Sequence, residues 1–143
     1  MNLLGKLVRQ TIYAASGVLV LTAVHAAGMA GGEVQLSGSQ EVPPVTTAAK
    51  GSGTITVGAD KSVSGSVKTS GVDGTAAHIH EGAAGANGPV IIPLTKGAGG
   101  EWTVPAGAKL TDAQYDSYKA GKLYVNVHSA ANKGGEIRAQ LKP

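Results

Sequence analysis

At 143 residues the chain is long enough for one hydrophobic core and one function. It contains no cysteine, which excludes both a disulfide framework and a lipid-attachment cysteine. Its 12 Lys and Arg stand against 9 Asp and Glu with no basic cluster, and aromatics make up only 3% of the chain. Such a composition excludes a nucleic-acid binder that works by phosphate neutralisation and base stacking.

The first thirty residues predict export. Lys6 and Arg9 give a short basic start, residues 12–24 form an apolar run broken only by Ala, Ser, Gly and Thr, and Val24-His25-Ala26 offers the residues a signal peptidase reads. Cleavage is expected after Ala26, giving a signal peptide over 1–26 and a domain over 27–143. His25 leaves with the signal. A membrane-spanning helix needs roughly 20 apolar residues to cross about 30 Å of hydrocarbon, and this run is shorter, so no span is expected to remain after removal. The remaining chain has ten basic and nine acidic residues, a net charge of +1. A periplasmic or secreted location follows.

Beyond the signal, Val, Ile, Thr and Ala recur in short alternating runs punctuated by Gly, Asn, Asp and Pro, the pattern of short strands and turns. Residues 33–36 read as the first strand, and Glu41-Val42-Pro43-Pro44 breaks the chain before a second strand at 53–57. Residues 58–61 make a turn into 62–69, where Val63 and Val67 share a face, so a hairpin is predicted. Residues 76–81 and 90–94 follow, with a Gly-rich loop between them. Residues 101–104 carry the single tryptophan, read as core. Thr111 with Gln114 three residues later forms a capping box, and Gly121 suits a left-handed C-terminal position, which predicts one helix over 111–120. Tyr115 and Tyr118 would pack it on the sheet. Strands at 122–128 and 136–141 flank the turn SAANKGG. The pattern is that of an all-β, antiparallel Greek-key sandwich or barrel with one short helix.

Two segments carry the chemistry. AAHIHEG places His78 and His80 two apart on a strand, hence on one face with Cα atoms about 7 Å apart, while Ala77 and Ile79 face the other way. LYVNVH sends Leu123, Val125 and Val127 to one side and Tyr124, Asn126 and His128 to the other. If the two strands are neighbours, three imidazoles meet, and three neutral imidazoles with an open position suit copper(II) or zinc(II). Plain surface histidines, or hydrogen bonds holding a loop, stand beside that reading. Glu81, Tyr124, Asn126 and Arg138 are the candidates for a supporting shell, with cross-strand pairing of Arg138 to Glu136 or another acid as the simpler role. No Ser-His-Asp order, paired-carboxylate motif or phosphate loop is visible, and the glycines of GANG and KGG read as turn residues.

In order, VQLSGSQEVPP, GSGTITV, AAHIHEGAAGANGPVIIPL and LTDAQYDSYKAGKLYVNVHSAANKGGEIRAQL resemble the CHRD domain, a module named from chordin and also found as a stand-alone secreted domain in bacteria. The resemblance covers about residues 33–141, and Ala139 stands where a glycine is expected between Arg138 and Gln140. It implies an immunoglobulin-like sandwich or barrel and export, and no established activity. A fainter similarity is to copper/zinc superoxide dismutases, which also carry a His-x-His-Glu strand and a later strand ending in valine-histidine. By that analogy His78, His80 and His128 would take the copper-ligand roles, without a bridging histidine, a zinc-loop cluster or a disulfide, and with Arg138 to be tested as the guiding arginine. Three functions are therefore carried forward. The first is an exported CHRD-type binding module holding one copper or zinc ion on three histidines, with an unknown protein partner. The second is a copper-only, dismutase-like redox enzyme, and the third is a structural or adhesive envelope protein without metal.

Overall fold

The computed structural model describes residues 31–143. The predicted signal peptide and its cleavage position lie outside the described residues. The strands are β1 (Gly31–Ser37), β2 (Lys50–Val57), β3 (Val63–Ser70), β4 (Gly74–Glu81), β5 (Val90–Pro93), β6 (Thr95–Lys96), β7 (Glu101–Thr103), β8 (Leu123–Ser129) and β9 (Ile137–Gln140), with one α-helix, α1 (Asp112–Lys119), among the described residues. All pairings are antiparallel. They form a single sheet in the order β5-β4-β8-β9-β1-β2-β3-β7-β6, whose non-sequential neighbours β4–β8, β9–β1 and β3–β7 are Greek-key crossovers.

The two ends of that order belong to one piece of chain. β5 pairs with β4, β6 pairs with β7, and only Leu94 separates them. The Leu94 N–H donates to Ala77 O at 2.9 Å, so residues 90–96 stitch both edges together and the sheet is a nearly closed barrel. Closure removes the unpaired edges that an open sheet would expose. The sequence reading had one strand at 90–94 in place of β5 and β6, because a two-residue strand is too short to show a period. Elsewhere the strands fall where the alternation put them, within one to three residues at their ends.

The interior is filled by the apolar set of that alternation. Leu123, Val125 and Val127 of β8 have no exposed surface, and Ile79, Ile137 and Ala139 join them from the neighbouring strands. Trp102 is buried in the same core. The helix starts as its capping box requires: Gln114 N–H donates to Thr111 Oγ1 at 3.2 Å and Thr111 N–H donates to Gln114 Oε1 at 2.9 Å. It ends at Gly121 with φ +72°, the left-handed position where a Cβ would be strained. Tyr118 is buried and Tyr115 packs at the core margin, so the helix closes one flank of the barrel. Among the described residues no helix is long and apolar enough to cross a membrane.

Candidate metal centre

β4 and β8 are direct neighbours, and their register sets His78 opposite Asn126, His80 opposite Tyr124 and Ala76 opposite His128. His128 is thus the diagonal neighbour of His78, within reach of a ring of that size. The three rings converge, with centroids 4.9 to 5.7 Å apart and with one potential ligand nitrogen from each within 4.8 Å of the others. They stand on the outer face of the barrel wall, opposite the aliphatic side chains.

Hydrogen bonds fix the tautomers of these rings. His80 Nδ1 lies 2.9 Å from Gly88 O, and His128 Nδ1 lies 2.8 Å from Lys133 O. A carbonyl oxygen only accepts, so both Nδ1 atoms carry the proton and both Nε2 atoms present a lone pair. The His80 Nε2 is buried and has no hydrogen-bond partner among the described residues. His78 Nδ1 faces His128 Nε2 at 3.1 Å. Burial, helped by the His128 and His80 rings, holds His78 below the ordinary imidazole pKa. Burial also lowers that of His80, opposed by the Gly88 carbonyl and helped by His128 and Arg138. Neutral rings are the state a metal needs.

A metal ion fits this donor set on three counts. An orphaned, buried imidazole nitrogen costs free energy unless something accepts its lone pair. Imidazoles that ligate metal characteristically donate their other N–H to a carbonyl, as His80 and His128 do. Finally, each of the three rings offers a nitrogen within 4.8 Å of the other two, close enough to converge on one ion. Those three rings would hold the ion.

Around the histidines the outer face is packed rather than wet. Tyr124 stacks on His80 with centroids 4.8 Å apart and planes 4° from parallel, and the Arg138 guanidinium lies 3.4 Å from the Tyr124 ring centroid. His80 and Tyr124 are opposite each other across β4 and β8, and Arg138, opposite Asn126 on β9, reaches the phenol diagonally, so the three groups stack in one row. The loop 82–89 folds over that row. Arg138 donates to Ala86 O at 2.6 Å, Ala83 O at 3.2 Å and Asn87 Oδ1 at 3.2 Å, and Gly88 N–H donates to Tyr124 OH at 3.0 Å. Gly88 therefore holds Tyr124 with its N–H and His80 with its carbonyl. A Cβ there would sit 1.6 Å from Glu81 O, which no side chain tolerates.

Some expectations about individual residues need correction. Arg138 does not pair with Glu136, which instead accepts from Thr47 Oγ1 at 2.8 Å: its hydrogen bonds go to loop oxygens, and the acid within reach of its charge is Glu41. At 1% exposure its guanidinium is committed to the loop and is not placed to guide a substrate. Glu81 shares the Ile79 side of β4, and its carboxylate accepts from Ser117 Oγ of α1 at 2.6 Å, so it belongs to the helix contact. Asn126 donates to Ile137 O at 3.1 Å and to Glu41 Oε1, and to none of the three histidines. Glu41 escaped the sequence reading, which took residues 41–44 as a break. It is buried, and that burial raises its pKa from 4.5 to about 7 against the opposing pull of the Asn126 bond and the Arg138 charge. The acceptors Gly88 and Lys133 escaped too, since they act through backbone atoms.

Fold and site together define an all-β barrel domain with a buried polar wall around three imidazoles. The family model described as the CHRD domain matches residues 32–141. The chain belongs to the CHRD family. Neither a curated protein nor a solved structure gives a significant match.

Proposed function

We propose that this CHRD domain is an exported binding module that holds one copper or zinc ion on His78, His80 and His128. The observation that carries the reading is the His80 Nε2, a buried lone pair without a hydrogen-bond partner among the described residues, left bare because the Gly88 carbonyl holds the proton on Nδ1, and set beside two further imidazoles. With three protein donors the ion keeps a position for an outside ligand, which suits binding and delivery of metal. Calorimetric titration of the 27–143 domain with Cu(II) and Zn(II) tests it. One ion per chain is expected, with affinity falling on acidification because a protonated ring cannot ligate. Absence of binding at micromolar metal would leave the histidines as structural groups and favour the metal-free envelope role. Export is checked separately by the intact mass of protein recovered from the cell envelope, expected to begin near Ala27.

A further inference from the structure

Resting on the reading of the triad as a metal centre, the geometry points to a site with two fixed ligands and one exchangeable one: His80 and His128 are held ready by backbone carbonyls, and His78 is the ring that must rearrange to admit an ion and to release it. The His128 Nδ1–H is spent on Lys133 O, so its Nε2 can only accept. The nitrogen facing that lone pair is His78 Nδ1, and two bare lone pairs at this distance would repel, so His78 Nδ1 carries a proton. Without an ion, that proton occupies the lone pair an ion needs. His78 has to rotate, or move its proton to Nε2, before His128 can ligate. Neither other ring has to change.

The anchoring of the rings differs in the same sense. His80 is tied to Gly88, whose loop is itself held by Arg138 and Tyr124. His128 is tied to the 129–135 turn, closed by Ser129 N–H and Gly135 N–H donating to Asn132 O at 3.2 and 3.0 Å. The hydrogen bond to His128 is the sole one that holds the His78 ring among the described residues. The ion is thus taken up and surrendered through His78, and an incoming donor displaces that ring first.

The test compares His78→Ala, His80→Ala and His128→Ala, with Cu(II) affinity read by chelator competition and with free imidazole added. His78→Ala should lose at least about tenfold less affinity than either of the others, the scale on which a carbonyl partner acts on a ligating histidine. Free imidazole should restore His78→Ala more fully than the other two. In the wild type without metal, long-range proton–nitrogen correlation should place the His78 proton on Nδ1. Equal losses in the three variants, or an Nε2-protonated His78, overturns the inequality while leaving the metal centre standing. A wild type that binds no ion overturns the metal centre itself and this inference with it.

Discussion

On the inner face of β8, Leu123, Val125 and Val127 are sealed among aliphatic neighbours; on its outer face, Tyr124 and Asn126 are sealed almost as well, at 3% and 1% exposure. The inner face is held by non-directional burial, which tolerates small changes of shape as long as volume is kept. The outer face is held by directional bonds, in which each donor needs its acceptor. Comparing them separates two properties that alternation in a strand is usually taken to report together. Period two tells which side a residue takes, and the returning loops decide whether that side meets water. A face packed with hydrogen bonds also fixes ring orientation and tautomer, which an aliphatic core cannot do. That is what a metal site requires.

Substitutions should therefore part stability from metal affinity. The largest stability loss is expected inside: Leu123→Ala should cost about 3 kcal/mol in denaturant unfolding, with the Cu(II) affinity of the folded variant unchanged. A parallel loss of affinity would mean that the two faces are not independent.

Of similar size is the pH dependence set by Glu41. Its folded pKa of about 7 lies above the ordinary 4.5, so the folded chain holds that proton more tightly than the unfolded one. The associated stability is fully present below about pH 4.5 and is lost as pH rises through 7, by about 3 kcal/mol for a shift of this size. His78 and His80 act in the opposite sense. Their folded pKa values are lowered, so their contribution is present above about 6.5 and lost on acidification. Metal-free Glu41→Gln should uncover the histidine trend alone, with stability falling as pH drops below 6.5. Gln stands in for the protonated carboxyl, so from pH 4.5 to 8 the wild type should lose about 3 kcal/mol relative to the variant, and parallel profiles would remove Glu41 from the account.

Arg138→Lys keeps the charge and loses the planar fork that serves Ala83 O, Ala86 O and Asn87 Oδ1. Through the loosened Gly88 loop, Cu(II) binding should weaken by about 10- to 100-fold although no ligand is touched. An unchanged affinity would show that the outer row is packing and nothing more.

Much of this could be read from residue types. The alternation of β8, the His78-x-His80 spacing and the Thr111–Gln114 box are written in side-chain identity and local spacing, and each is found in place. What escaped depends on distant chain returning. Glu41 reaches Asn126 from 85 positions away, and Gly88 and Lys133 contribute carbonyls, which every residue has. Arg138 was assigned an acid from its charge and Glu81 a place beside the histidines, yet the guanidinium took loop oxygens and the carboxylate took a helix hydroxyl. β6 was too short to carry a period of its own.

The central claim, that the outer face of β4 and β8 is arranged to hold one ion, is tested most directly by a crystal structure of the 27–143 domain loaded with Zn(II), using anomalous scattering at the zinc edge. One peak is predicted, at about 2.0–2.1 Å from a ring nitrogen of each of His78, His80 and His128, with the His80–Gly88 and His128–Lys133 hydrogen bonds retained. A peak held by other residues, or by only one of the three rings, would contradict it.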